Sequence, residues 1–202
     1  MITAKEDIFM YTVCLYGAAS DRVGDRMIES VEELGRRIGL EGYSMIYGAG
    51  ASGLMGAAAR GIVAVGGTLI GVTPHFMHTT EPLFYDCTQM INTETMAERK
   101  EIMENNADAF VVVPGGIGTF DEFFQILTLK ELGQQGNKPI ILFSVDGYYD
   151  ELCAMMCAAD EKGFLRPTVM SLFSVCRTVD DVMKTLKEQL DAVSEESGSE
   201  KK

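Results

Sequence analysis

Short apolar runs alternate with amphipathic segments along almost the whole chain, and this alternation constrains the fold more than any single motif. Ala109–Val113 is an apolar run, rich in β-branched residues, with the length of a buried strand. Asp25–Gly39 instead places Met27, Val31 and Ile38 on one face at helical spacing. Continuous apolar strands separated by helices are typical of a parallel sheet that helices cover on both faces.

The pattern therefore predicts a single α/β domain over residues 1–193, with a doubly wound parallel sheet. The predicted strands are 9–16, 44–47, 68–73, 89–92, 109–113, 139–143 and 172–176. The predicted helices are 25–39, 54–65, 94–105, 119–132, 149–161 and 179–193. Residues 194–202 are rich in Ser, Glu and Lys, and we expect them to form a disordered tail.

The composition narrows the classes of partner and compartment. The formal net charge is −13 over 202 residues, which disfavours nucleic-acid binding because that binding depends on Lys and Arg neutralising phosphates. No apolar run approaches the roughly 20 residues that span a bilayer. The acidic start Met1–Asp7 lacks the pattern of a signal peptide, and the five cysteines are an odd number. We expect a cytoplasmic protein with free thiols that binds neither membranes nor nucleic acid.

A loop with three glycines in four positions follows the apolar run Ala109–Val113 and precedes a predicted helix. Glycine lets a ligand approach the backbone, and the first N–H groups of a helix lack intrahelical partners and favour an anion. Together these features predict a phosphate site without a Walker A lysine. The alternative is a tight turn in which the glycines serve only packing. The predicted phosphate-binding residues are Gly115, Gly116, Ile117, Gly118 and Thr119.

A second glycine cluster, Gly48-x-Gly50-x-x-Gly53, matches the dinucleotide fingerprint between a strand and a helix. Binding of NAD also calls for an acid about 20 residues further on, at the end of the next strand. The nearest acid, Glu81, falls in a predicted loop. A nicotinamide oxidoreductase is therefore disfavoured, and we expect these glycines to shape the floor of a mononucleotide pocket.

Two charged residues are candidates for catalysis, each with a structural alternative. Glu122 follows Thr119 by three residues, which is also the spacing of a helix capping box. If Glu122 instead faces the phosphate loop, it can stabilise positive charge on a ribose ring or activate water. Arg99 shares a helix face with Met96 and Met103, so its guanidinium either finds a partner there or extends to solvent. The spacing leaves both readings open.

Metal ligands are sparse in the sequence. His75 and His78 lack an evident third ligand, so we predict no metal site. Cys153 and Cys157 stand four residues apart on a predicted helix and are interpreted as core residues. Met55 lies in the glycine-rich segment and is expected to line the pocket.

Several segments, taken in order, point to one family. Pro114–Glu122 matches the signature PGGxGTxxE, Met96–Lys100 resembles an MxxRK segment, and Gly48–Gly56 resembles a GGGxxGLMG loop. These are motifs of the LONELY GUY (LOG) family of cytokinin riboside 5′-monophosphate phosphoribohydrolases, which the chain resembles over about residues 9–190. Two shorter segments are also similar: Lys138-Pro139 and Asp146–Tyr149.

The resemblance implies a Rossmann-like fold, a homodimer with active sites near the subunit interface, and no cofactor. It implies hydrolysis of adenosine-type nucleoside 5′-monophosphates to the free base and ribose 5-phosphate. Carried over by position, Arg99 and Glu122 would be the catalytic pair. Proteins of this type have often been labelled lysine decarboxylases, but the sequence shows no lysine context for pyridoxal phosphate. The expected pocket residues are Gly17, Ser20, Gly50, Gly53, Met55, Met96 and Lys100.

The chain departs from the family pattern near the expected pocket. The first loop has Ala18 and Ala19 where the family usually has two serines, Ala49 replaces the middle glycine of the triplet, and Leu129 replaces a frequent Trp. These departures bear on the base preference and on activity. Ala18, Ala19 and Leu129 support an alternative function, a nucleotide or cofactor carrier of the same fold without turnover, whereas the presence of both Arg99 and Glu122 argues against it.

Overall fold

The computed structural model describes residues 11–199 and places seven strands and six α-helices in them. The strands are β1 (Thr12–Tyr16), β2 (Ser44–Tyr47), β3 (Leu69–Pro74), β4 (Gln89–Thr93), β5 (Ala109–Val112), β6 (Ile140–Phe143) and β7 (Ser174–Cys176). The helices are α1 (Asp25–Leu40), α2 (Gly53–Ala64), α3 (Met96–Asn105), α4 (Ile117–Glu131), α5 (Asp150–Glu161) and α6 (Val179–Ser199). A short 3₁₀ helix, His75–Thr79, follows β3 in the stretch predicted to be irregular.

All seven strands lie in one parallel sheet in the order β4-β3-β2-β1-β5-β6-β7. The chain adds strands in one direction from β1 to β4 and then returns to the other side of β1 with β5. The strand order therefore reverses between β1 and β5. Such a reversal opens a crevice at the carboxyl ends of the two strands, where doubly wound proteins bind ligands. The predicted doubly wound α/β class is confirmed.

The core has two layers because alternate residues of each strand point to opposite faces of the sheet. In β1, Val13 and Leu15 pack in the layer that α1, α2 and α6 cover. Cys14 and Tyr16 pack in the other layer, with residues of α3, α4 and α5. These four side chains are almost fully buried. Burial on both faces explains why the strands are continuously apolar in sequence.

Some predicted boundaries shift. Helix α4 begins at Ile117, two residues before the predicted start at Thr119, so part of the glycine-rich loop is helical. Helix α6 extends to Ser199, six residues beyond the predicted end at Val193. The first strand begins at Thr12, and the predicted residues Phe9 and Met10 lie outside the described part. Disorder of the tail stays a prediction for residues 200–202, which also lie outside it.

Within residues 11–199, no helix combines the length and the apolar character that crossing a membrane requires.

Candidate active site

A cavity of about 320 Å³ lies at the point where the strand order reverses. Loops that follow β1, β2, β3 and β5 contribute to its wall, together with the first turns of α3 and α4. The residues that line it are Gly17, Ala18, Ala19, Ser20, Gly48, Met55, Met77, Glu81, Met96, Arg99, Gly116, Gly118, Thr119, Asp121 and Glu122.

The first turn of α4 presents backbone donors to this cavity. Gly116 is the residue that caps the helix, and the N–H of Phe120 donates to its carbonyl at 3.0 Å. The N–H groups of Ile117, Gly118 and Thr119 precede that bond, so the helix supplies them no partner. A Cβ on Gly116 or Gly118 would meet no atom within 4 Å. This open approach and the positive end of the helix dipole form a site suited to an anion.

Ile117 and Gly115, the other two predicted phosphate-binding residues, do not line the cavity. The side chain of Ile117 points to solvent, with 83% of its surface exposed. Gly115 does not line the cavity, because the Thr119 side chain lies over it: a Cβ there would be 2.0 Å from Thr119 Oγ1. Ile117 can therefore contribute only its backbone, and Gly115 makes room for Thr119.

Arg99 and Glu122 form a buried ion pair in the wall of the cavity. Arg99 Nη1 donates to Glu122 Oε1 at 2.9 Å, and Arg99 Nε donates to the carbonyl of Val72 at 3.1 Å. The two side chains are only 6% and 10% exposed. The guanidinium therefore does not extend to solvent. Thr119 lies inside α4 rather than at its cap, so the capping-box alternative for Glu122 does not apply.

The environment of Glu122 has opposing effects on its pKa. Burial raises the pKa of this carboxyl above its ordinary value, because desolvation disfavours the charged form. The charge of Arg99 and its hydrogen bond favour the carboxylate and counteract part of that rise. A carboxyl with a raised pKa next to one positive charge in a crevice is typical of a functional site.

A second ion pair connects α3 to α4 beside the first. Lys100 Nζ donates to Asp121 Oδ2 at 2.9 Å. Asp121 lines the cavity, whereas Lys100 does not, although the sequence placed it in the pocket. The bond to Asp121 thus holds the Lys100 ammonium outside the cavity.

The second glycine cluster has its backbone donors already occupied. At the start of α2, the carbonyl of Ala18 accepts from the N–H groups of Leu54 at 2.9 Å and Met55 at 3.1 Å. Asp21 Oδ1 accepts from the N–H of Gly53 at 2.8 Å. A pyrophosphate at this helix would have to displace these partners. This is a physical reason, independent of the missing acid, to reject a dinucleotide site here.

The expected pocket glycines are divided between two depressions. Gly17 lines the cavity with Ser20, whereas Gly50 lines a neighbouring depression that Ser20 also reaches. Gly53 lines neither: at φ +59° it lies under the loop, where a Cβ would be 2.7 Å from the Ala18 carbonyl oxygen. Gly50 and Gly53 therefore do not line the cavity in which the sequence placed them. The two predicted methionines, Met55 and Met96, do line the cavity.

The structure adds lining residues that sequence reasoning missed. Met77 and Glu81 come from the segment after β3, and Asp121 precedes Glu122 on α4. From the sequence, Glu81 is a candidate only for the ribose acid of an NAD site. Only the position of this segment after β3 could have indicated its role, because the carboxyl ends of the strands are on the ligand-binding side of the sheet.

Metal-binding groups do not gather in the part of the chain that the structure describes. Residues 11–199 contain no cluster of three or more His, Cys, Asp or Glu side chains suited to a metal. Cys14, Cys87, Cys153, Cys157 and Cys176 are all free thiols. On α5, the half-buried Cys153 packs against the core layer that α3, α4 and α5 cover, as the sequence predicted. Cys157 on the same helix is exposed, so its assignment to the core is wrong.

Comparisons with known proteins place the chain among enzymes of one kind. A family model described as "possible lysine decarboxylase" matches residues 55–186. A cytokinin riboside 5′-monophosphate phosphoribohydrolase of Mycobacterium tuberculosis is 37% identical over 184 residues, which are 91% of this chain and 97% of the relative. One from Rhodococcoides fascians is 32% identical over 177 residues, 87% of this chain and 89% of the relative.

Solved structures share the fold at lower identity. A molybdenum cofactor carrier protein from Chlamydomonas reinhardtii superposes with a TM-score of 0.71 at 22% identity, covering 90% of this chain and 99% of that one. At this identity the likeness supports the arrangement of strands and helices.

Proposed function

Because the chain belongs to the LOG family, whose model carries the description "possible lysine decarboxylase", we propose that it is a nucleoside 5′-monophosphate phosphoribohydrolase. It would hydrolyse the N-glycosidic bond of adenosine-type, including cytokinin, nucleotides to the free base and ribose 5-phosphate. The observation that carries the proposal is the buried Arg99–Glu122 pair, which shares one cavity with the open start of α4.

The geometry supports separate roles for the start of α4, Glu122 and Arg99. The phosphate binds to N–H groups at the start of α4, and this remote binding energy positions the ribose C1′. The C1′–N bond breaks, its electron pair leaves with the base, and C1′ acquires oxocarbenium character. Glu122 stabilises that charge and orients the water that adds to C1′, and the proton that this water loses neutralises the departing base. Arg99 bonds Glu122 directly, which favours its role in orienting this carboxylate and keeping it ionised.

A decarboxylase would require different residues. Pyridoxal phosphate is held as a Schiff base with a lysine. None of the described side chains that line the cavity is a lysine, and the neighbouring Lys100 is bonded to Asp121. The cavity therefore supports the hydrolase and not the activity in the description of the family model.

Chromatography of reaction products tests the proposal. Purified protein would be incubated with AMP, with isopentenyladenosine 5′-monophosphate and with adenosine, which lacks the phosphate. We expect free base from the two nucleotides and far less from adenosine, and the ratio of the first two rates gives the base preference. Nucleotide binding without base release would instead support the carrier function, and would direct attention to Ala18 and Ala19.

The pH profile tests the role of Arg99. Glu122 acts as a carboxylate and burial raises its pKa, so kcat/KM should fall as the pH drops through a midpoint above the ordinary 4.5. In Arg99→Gln the opposing positive charge is lost, so the midpoint should rise by about one unit or more. Profiles of both proteins and of Arg166→Gln, which loses an exposed charge paired with Glu131, would be compared. An unchanged midpoint in Arg99→Gln, or an equal shift in Arg166→Gln, would contradict this role.

We also propose a homodimer with the cavity near the interface. Large apolar side chains are exposed around the start of α3 and along α4: Met96 at 38%, Ile117 at 83% and Phe124 at 37%. A second copy covering this surface would remove these groups from water. Light scattering after size exclusion should give twice the chain mass of 22.1 kDa for the wild type and a smaller mass for Ile117→Asp. A monomeric wild type would refute the dimer.

A further inference from the structure

The loop after β6, residues 144–149, has two consecutive residues in the left-handed region. Asp146 has φ +52° and Gly147 has φ +76°. Asp adopts this region more readily than most residues other than glycine, and contacts with the rest of the protein stabilise it further. Here Arg26 pairs with Asp146 at 3.0 Å, and Ser144 Oγ accepts from the N–H of Tyr149 at 2.9 Å.

This loop places two adjacent tyrosine hydroxyls on the backbone of the phosphate loop. Tyr148 Oη donates to the carbonyl of Gly115 at 2.5 Å, and Tyr149 Oη donates to the carbonyl of Val113 at 2.7 Å. The two carbonyls flank Pro114. The rings meet edge to face, with centroids 5.0 Å apart. Neither tyrosine lines the cavity, so any effect of its hydroxyl on the cavity must pass through the backbone.

The bond from Tyr148 fixes the orientation of one particular peptide group. In a planar trans peptide the carbonyl and the following N–H point in opposite directions. Holding the Gly115 carbonyl toward Tyr148 therefore turns the N–H of Gly116 away from Tyr148. Gly116 lines the cavity, whereas Tyr148 lies outside it. The peptide joins two glycines, so its plane meets little steric resistance to rotation and depends on an external partner.

We infer that Tyr148 is a positioning residue for the anion site, whose hydroxyl holds the Gly115–Gly116 peptide so that the Gly116 N–H faces the substrate phosphate. The inference rests on the proposed function for the identity of the ligand. It adds a fourth backbone donor to the three at the start of α4. It also gives a role to Tyr148, which belongs to the segment Asp146–Tyr149 that resembles a segment of the family.

Tyr149 provides a matched control because its bond orients no donor. The Val113 carbonyl belongs to the peptide that precedes Pro114, and proline has no N–H. Tyr149 is also fully buried, whereas Tyr148 is 38% exposed. Removing the Tyr149 hydroxyl leaves a buried carbonyl without its partner, which lowers stability without changing an anion donor.

The test compares Tyr148→Phe with Tyr149→Phe in the full chain. For Tyr148→Phe we expect KM for AMP, and Ki for ribose 5-phosphate as competitive inhibitor, to rise together by about 3- to 10-fold, the range for one neutral hydrogen bond. Its kcat should stay within about twofold, because the lost contact is equal in ground and transition states. For Tyr149→Phe we expect a lower Tm with unchanged KM and Ki.

Unchanged KM and Ki in Tyr148→Phe, or equal increases in both variants, would overturn the inference. If the wild type released no base, the proposed function would fail, but calorimetric titration with ribose 5-phosphate would still test the inference. A weaker Kd in Tyr148→Phe alone would support it. Equal Kd in all three proteins, or no binding to any, would refute it.

Discussion

Replacement of Glu122 with glutamine should lower kcat for base release by about 10²- to 10⁴-fold, the range for removing a positioned catalytic group. In the wild type, Arg99 Nη1 donates to the Glu122 carboxylate at 2.9 Å. The glutamine amide keeps the size of the side chain and an oxygen that can accept this bond. It removes the negative charge that we propose stabilises the developing oxocarbenium. The proposed phosphate contacts are backbone groups at the start of α4, so we expect the Kd for AMP to change little. Single-turnover rates and equilibrium binding would measure the two effects separately.

Glu104→Gln is the matched control for this substitution. Glu104 is also buried between α3 and α4, where it accepts from Gln125 Nε2 at 2.5 Å, and burial also raises its pKa. It does not line the cavity. Loss of this charge should leave kcat within a few-fold of the wild type. A normal kcat in Glu122→Gln, or an equal fall of kcat in Glu104→Gln, would show that Glu122 does not have the proposed catalytic role.

The fold was predictable because the signals that specify it are local. Apolar strands such as Ser44–Tyr47 have the bounds that the sequence indicated. Boundaries moved where glycine obscures the helical pattern, as at Ile117, which opens α4 two residues early. Propensity disfavours glycine inside a helix, so Gly118 hides the start of α4 from a reading of the sequence.

The candidate site was predictable only in part, for a different reason. Spacing put Arg99 on an apolar helix face, and a buried guanidinium needs a partner, but spacing cannot say that the partner is Glu122 on another helix. Asp21 caps α2 across 32 positions, and Tyr148 reaches Gly115 across 33. Such contacts depend on the path of the loops. Loops have no regular spacing of apolar residues, so the sequence does not indicate which residues they bring together.

Gly48 makes another long-range contact of this kind, with Arg99, and Gly48→Ala should lower kcat/KM by about 10²-fold or more. A Cβ on Gly48 would lie 2.0 Å from Arg99 Nη2, and φ at this position is outside the left-handed region, so the conflict is with the guanidinium and not with the backbone conformation. Arg99 has little freedom to move, because it is bonded to both Val72 and Glu122. Its displacement would leave Glu122 buried without its partner, and misplacement of a catalytic group by about 1 Å can cost about 10²-fold in rate.

A double-mutant cycle separates this cause from general loss of stability. If the alanine methyl acts by displacing the guanidinium, Gly48→Ala should have no further effect on kcat/KM in an Arg99→Ala background, where that group is absent. Gly39→Ala on α1 is a steric control, because its Cβ would lie 2.7 Å from Val65 Cγ2, far from the cavity. It should lower Tm and leave kcat/KM unchanged. Additive losses from Gly48→Ala and Arg99→Ala would show that Gly48 acts on something other than the ion pair, and that its close approach to the Arg99 guanidinium does not position the Glu122 carboxylate.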